Sequence, residues 1–345
     1  MKAAFWTAPR TFAIREVETP APRGDEALIR VGSAGVCGSD AHLYRDGRIG
    51  DIAIREPHIL GHEFGGVVEA VASPEYEHLV GRRVAVEPAR PCMRCAVCLA
   101  GNQNCCPKVL FCGLPPTLGG YREYMTWPGW LCEPVPDSMS HAQIAALEPL
   151  AIGVHIMDLA KPGLGRTAAI LGAGMIGQMI LETLKRFAPH RLIVIDRLDC
   201  RLEMSKSAGA THTVNFERDD PVAAVRELTG GLGADYVFEA TTDDQAPAQA
   251  VAMAGFASKV FLAGINEADR ILFSCSEARR RGLTIYYIRR SRRTLERAIR
   301  LLESGAVDVD RTITHTFPLE RLGEAFETVC DYKDGVLKAM IEIGQ

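Results

Sequence analysis

Four cysteines are spaced to hold a metal ion: Cys92, Cys95 and Cys98 two residues apart, then Cys106 after seven more. Four thiolates within tetrahedral reach make a closed zinc site, which holds structure and leaves no position for a substrate. Two other readings stand beside it. The opening C-x2-C-x2-C and the Cys106–Pro107 pair are iron–sulfur features, but such runs bring their fourth cysteine after three residues and not seven. The last reading, four unliganded thiols, leaves their crowding without a reason. Cys105 can replace Cys106 with a shift of one residue.

A second, scattered set has a different chemistry. Cys37 lies in Gly35-Val-Cys-Gly-Ser-Asp40, His62 and Glu63 follow Gly61, and Glu148 precedes Pro149. Each alone has an ordinary structural explanation. Together, thiolate, imidazole and carboxylate make three protein ligands and leave a zinc position open for a substrate oxygen, as a Lewis-acid catalyst requires. The third ligand is Glu63 or Glu148, the other standing behind the metal and exchanging as water or substrate arrives.

The third signal is Gly172-Ala-Gly174-Met175-Ile176-Gly177, between an apolar run and an amphipathic one. The first glycine permits a tight turn, the second lets a pyrophosphate approach the backbone, and the third lets helix and strand pack closely. The phosphates then meet the positive end of a helix. Asp196, at the end of the next apolar run, accepts from ribose hydroxyls and repels a 2′-phosphate, which favours NAD over NADP. Arg197 beside it can receive that phosphate or be a solvated loop residue. Arg201 completes the cofactor candidates.

The elements that must position these residues change character along the chain. Up to about residue 150, alternating runs such as 12–17, 27–31, 66–72 and 83–87 read as short strands, with the cysteine lobe between them. From about 165, strands at 167–171, 191–196, 235–239 and 259–263 alternate with helices, one of them at about 175–187. Such alternation makes a parallel sheet covered on both faces. Helices at 295–302 and 319–330 and a strand near 337–343 have no separate core of their own. A chain of 345 residues suits two domains. The net charge of −4 gives no overall case for nucleic acid or an anionic membrane. No run of about 18 apolar residues and no signal peptide is evident, so a cytoplasmic enzyme is expected. Seven of the eleven cysteines bunch between 92 and 132, which suits metal binding better than disulfides.

On these residues the chain resembles the zinc-dependent medium-chain alcohol dehydrogenases, and among them the sorbitol (polyol) dehydrogenase group. The resemblance runs over nearly the whole length. Its carriers are Gly35–His42, Gly47-Arg-Ile-Gly-Asp51, Leu60-Gly-His-Glu63, Phe111-Cys-Gly-Leu-Pro-Pro116, Glu148-Pro-Leu150, the glycine turn, and the stretch from Thr314 to Phe326. It implies an α/β architecture: a mostly-β GroES-like catalytic domain over 1–150 and 290–345, and a doubly wound, parallel-sheet Rossmann domain over 151–289. It implies one catalytic and one structural zinc per chain, with Cys37, His62, Glu63 and Glu148 around the first and Cys92, Cys95, Cys98 and Cys106 around the second. Ser39 matches a proton-relay hydroxyl and His42 the relay's outer end. Tyr44, Phe111 and Arg289 match substrate-side positions. Assembly as a homo-oligomer, a tetramer or a dimer, is implied as well.

The expected reaction is hydride transfer from a secondary hydroxyl of a sorbitol- or xylitol-like polyol to NAD, giving a ketose. A phosphorylated or acidic sugar alcohol, or an amino alcohol such as threonine, is the alternative. Its motive is the arginine cluster Arg289, Arg290, Arg292, Arg293, preceded by Arg279–Arg281, which can clamp an anion or merely be solvated. A non-catalytic NAD-binding protein has no need of Cys37, His62, Glu63 and Ser39 together. A zinc-ribbon nucleic-acid module lacks stacking aromatics and basicity.

Overall fold

The computed structural model describes residues 1–266, 268 and 270–344, which divide into two compact units. One comprises 1–151, 291–305 and 309–345, and the other 152–290 and 306–308.

The first unit is built on a seven-stranded sheet. Its strands run in the order Cys132–Pro134, Arg83–Val86, Glu63–Val71, Glu26–Gly35, Lys338–Glu342 and Ile313–Pro318, and Tyr124–Pro128 pairs with the first half of Glu26–Gly35. All neighbours are antiparallel except the last two strands, which are parallel. The long strand Glu26–Gly35 is the axis: Gly35 lies opposite Glu63 on one side and Met340 on the other. Alternation puts Ile29, Val31, Phe64 and Val68 into a core completed by Tyr121, Phe326 and Ile341. The C-terminal segment is therefore part of the same core as the N-terminal strands.

The second unit carries a six-stranded parallel sheet in the order His212–Asn215, Arg191–Asp196, Thr167–Leu171, Ala234–Glu239, Ala254–Leu262, Thr284–Tyr287. Counted along the chain this is 3-2-1-4-5-6, the doubly wound dinucleotide-binding order. Ile170, Val194, Phe238 and Phe261 belong to one apolar cluster and Ala169, Ile193, Val237 and Val260 to the other. Alternate residues are thus buried on both faces, as helices on both sides require. The expected α/β fold of two architectures is what the chain adopts.

Two details differ from the sequence expectations. The strand expected from Lys259 starts at Ala254, with a register shift between Ala234 and Tyr236 of its neighbour. The segment Gly255-Phe256-Ala257, whose Ala257 has φ 52°, hides the strand's beginning from a period-two reading. The 20-residue helix His141–Ala160 is also long and apolar enough to cross a membrane, although no such run was expected. Of its apolar window 72 % is buried within the fold, as a core helix requires.

Candidate metal and cofactor sites

The first unit brings two donor sets together. Cys92, Cys95, Cys98 and Cys106 place their sulfurs within 4.8 Å of one another. The Cys92 and Cys98 sulfurs are 3.9 Å apart, close to the roughly 3.8 Å edge of a tetrahedron with zinc–sulfur bonds of about 2.3 Å. Four sulfurs this close suit one ion and leave no room for a cluster. Backbone amides prepare the thiolates: Cys92 N–H donates to the Cys106 sulfur and Cys98 N–H to that of Cys95, both at 3.4 Å. The Cys92 thiol is lowered to about 6, chiefly by the amide of Arg94. Cys105 is exposed and outside the set.

The second set is Cys37, His62 and Glu63, with donor atoms also within 4.8 Å of one another. Cys37 caps the helix Gly38–Asp46, and His62 and Glu63 stand where the strand Glu63–Val71 begins. Gly35, opposite Glu63, supplies the space: a Cβ there would lie 2.3 Å from Glu63 Oε2. His62 Nδ1 lies 3.3 Å from Asp40 Oδ1, which fixes the ring and leaves Nε2 as the donor to a metal. Tyr121 in turn donates to the Gly35 carbonyl at 2.9 Å and to Asp40 at 3.4 Å. Burial pulls His62 down, but Asp40 and Cys37 outweigh it and hold the ring well above its usual range.

Glu148, from the helix His141–Ala160, is buried nearby but not in the tight set. Burial pushes its carboxyl up to about 8; His62 opposes that rise, while Glu63 adds to it. Lys338 donates to Glu63 Oε2 at 2.6 Å and to the Val36 carbonyl at 2.9 Å. Asp40, Glu63 and Glu148 are buried beside the Cys37 thiol, with His62 and Lys338 as their cationic partners among the described residues. The mixed sulfur–nitrogen–oxygen donors suit zinc.

The relay and substrate candidates fall in several places. Ser39 Oγ is 3.4 Å from the Cys37 sulfur. His42 is one turn further along the same helix, with Arg45 at 3.5 Å from its Nδ1. Phe111 packs on His62, ring centroids 5.1 Å apart. The Tyr44 ring lies instead among Phe12 and Phe326, its hydroxyl donating to the Arg10 carbonyl at 2.8 Å and to Glu327 at 2.9 Å. Arg289 is exposed in the second unit, just beyond the strand Thr284–Tyr287. The rest of the arginine cluster is dispersed. Arg292 donates to Asn102 of the cysteine lobe at 2.8 Å, and Arg281 to the carbonyls of Val251, Ala252 and Ala254. A cavity of about 330 Å³ beside the lobe is lined by Trp130, Glu133 and Arg292, among others, and by none of the three tight-set residues.

In the second unit the glycine turn follows the central strand Thr167–Leu171 and opens the helix Met175–Leu184. Gly172 has φ +91°, and a Cβ on it would meet the Ala240 carbonyl at 2.5 Å. A Cβ on Gly177 would lie 1.8 Å from the Gly172 oxygen. A Cβ on Gly174 would meet, among the described residues beyond its chain neighbours, nothing within 4 Å but Arg201 Nη1 at 3.6 Å. The open position is the second glycine, where a pyrophosphate needs the backbone bare, and Met175 and Ile176 begin the helix beside it. Asp196 Oδ2 accepts from Ala173 N–H at 2.7 Å and Oδ1 from Leu198 N–H at 2.9 Å. The carboxylate thereby ties the turn to its neighbouring strand, while Arg197 is exposed. These residues fit a dinucleotide.

Sequence reasoning did not single out Asp40, Tyr121 or Lys338. Asp40 stands three residues from Cys37 and carried a signal in its own motif. The only signal for Lys338 is a lone charge in the apolar run 336–341.

Comparison with known proteins agrees with this geometry. Residues 23–137 match the alcohol dehydrogenase GroES-like domain and residues 176–304 the zinc-binding dehydrogenase domain. The chain is 35 % identical to a sorbitol dehydrogenase of Bacillus subtilis, covering 99 % of this chain and 97 % of that one. It is also 35 % identical to an L-arabinitol 4-dehydrogenase of Aureobasidium melanogenum, covering 98 % and 93 %. An Escherichia coli CFT073 alcohol dehydrogenase solved with NADH superposes with a TM-score of 0.92 at 28 % identity, covering 99 % of both chains. The chain belongs to the zinc-dependent medium-chain dehydrogenases of the sorbitol dehydrogenase kind, and is an oxidoreductase acting on CH–OH donors.

Proposed function

We propose that the chain oxidises a secondary hydroxyl of a neutral polyol to the ketose, with NAD as hydride acceptor. The observation that carries this reading is the set of half-buried Cys37 with buried His62 and Glu63, their donor atoms within 4.8 Å of one another. Zinc supplies Lewis acidity there, and NAD in the second unit supplies the hydride acceptor. The chain's own work is to hold and move groups. Asp40 orients His62, Phe111 walls its ring, Ser39 receives the substrate proton, and His42 passes it outward. Asp196 favours NAD because a carboxylate accepts from ribose hydroxyls and repels a 2′-phosphate. Dispersal of the arginine cluster supports a neutral substrate over an anionic one.

The test is reduction of NAD and of NADP, each followed at 340 nm against a panel of polyols. NAD reduction with sorbitol, xylitol or a stereoisomer is expected. Silence across neutral polyols removes the substrate clause, and a tenfold preference for NADP removes the cofactor clause. Cys37→Ser is expected to lower kcat/KM by about a thousandfold or more, since it removes a ligand of the Lewis acid, while NADH affinity stays within about twofold. Near-normal turnover in that variant overturns the metal-site reading.

A further inference from the structure

The pair Lys338–Glu63 has an unexplained cost. Both side chains are only 2 % exposed. Taking a lysine and a carboxylate out of water costs several kcal/mol for each ion, and well-packed apolar residues are often as stable as a buried pair. Such a pair therefore calls for a reason other than stability.

Its place in the sheet supplies one. Three adjacent strands put Gly35 opposite both Glu63 and Met340. Lys338, two residues before Met340, sits at the end of the sheet where the chain leaves Gly35 for Val36 and Cys37. Its ammonium donates to Glu63 Oε2 at 2.6 Å and to the carbonyl of Val36 at 2.9 Å. Val36 is the peptide neighbour of Cys37. One side chain is thus bonded to the carboxylate of one candidate ligand and to the backbone carrying another. Oε2 is also packed over the bare Cα of Gly35.

We propose that Lys338 is a positioning residue for the catalytic metal, holding Glu63 Oε2 so that only Oε1 is offered as a ligand. The inference rests on reading Cys37, His62 and Glu63 as zinc ligands. A carboxylate held by one oxygen cannot close over the ion with both, so a coordination position stays open for a substrate hydroxyl. The ammonium also offsets one of the two anionic ligands, leaving the centre more electrophilic than a thiolate and a carboxylate alone would make it.

The experiment measures zinc per chain and zinc affinity by chelator competition, together with the visible spectrum of the cobalt-substituted enzyme. The proteins are the wild type, Lys338→Met, Lys338→Arg, Glu63→Gln and the Lys338→Met/Glu63→Gln double variant. The four-cysteine lobe is the internal control. Lys338→Met is expected to weaken the catalytic site by about tenfold or more, the usual loss when a ligand's outer partner is removed, and to shift the cobalt spectrum, while the lobe keeps its ion. Lys338→Arg is expected to restore most of the affinity. In the Glu63→Gln background, adding Lys338→Met is expected to cost nothing further.

Wild-type affinity and spectrum in Lys338→Met overturn the proposal. So does an equal loss in both backgrounds, which would mean that Lys338 does not act through Glu63. If Lys338→Met fails to fold, the Glu63→Gln pair and the arginine variant still decide: the proposal falls unless arginine restores the site and the double variant matches Glu63→Gln. A wild-type chain that binds only the lobe zinc defeats the ligand reading itself, a result separate from any of these.

Discussion

Cys105 and Cys106 are chemically identical neighbours with different surroundings. The sulfur of Cys106 is buried and accepts the Cys92 amide at 3.4 Å, while Cys105 is exposed. Cys106→Ser should therefore cost the lobe its zinc, with a fall in Tm of about 10 °C or more, because structural zinc is folding free energy. Cys105→Ser should keep the zinc and shift Tm by no more than about 2 °C. Zinc analysis and thermal melts check both, and the reverse pattern would reassign the fourth ligand. At this scale the sequence is most legible where donors lie close along the chain. The cysteine run and the His62–Glu63 pair needed only spacing. Glu63 could not be preferred over Glu148 by that means, because the choice depends on a strand pairing that puts Glu63 opposite Gly35. Lys338 was out of reach for the same reason, since it meets Glu63 across 275 residues.

Among the elements, the turn from strand Thr167–Leu171 into helix Met175–Leu184 separates folding from binding within six residues. A methyl group on Gly177 would meet the Gly172 carbonyl oxygen at 1.8 Å, a backbone atom with no rotamer to move it aside. Gly177→Ala should cost about 3 kcal/mol or more of stability in the second unit, since overpacking at fixed backbone has no cheap relief. Gly174→Ala meets nothing nearer than 3.6 Å and sits at φ −70°, which alanine accepts. It should leave the melt unchanged and weaken NADH binding by about tenfold, seen in a fluorescence titration. Equal effects on stability and on binding in the two variants would contradict this division. Strands 167–171 and 191–196 stand where their apolar runs put them, because a parallel strand buried on both faces is apolar throughout. The strand from Ala254 did not, because its start carries an exposed Phe256 and a left-handed Ala257.

For the molecule as a whole, the far ends of the chain share one core. Ala339, Met340 and Ile341 are almost wholly buried, in the strand Lys338–Glu342 that pairs with Glu26–Gly35, and Val336 is buried just before it. Their burial supplies several kcal/mol, comparable with the whole stability of a domain. A chain ending at Gly335 is therefore expected to lose the cooperative melt of the first unit and the second zinc, as followed by near-ultraviolet circular dichroism and metal analysis. Retention of both would show that the last strand is dispensable.

That closing strand also sets an order of events at the ribosome. The cysteine lobe and nearly all residues of the dinucleotide unit emerge before the strand Lys338–Glu342 does. The sheet around Cys37, His62 and Glu63 has to wait for the strand Lys338–Glu342. A metal bound by the lobe is therefore expected to arrive before the second donor set is assembled.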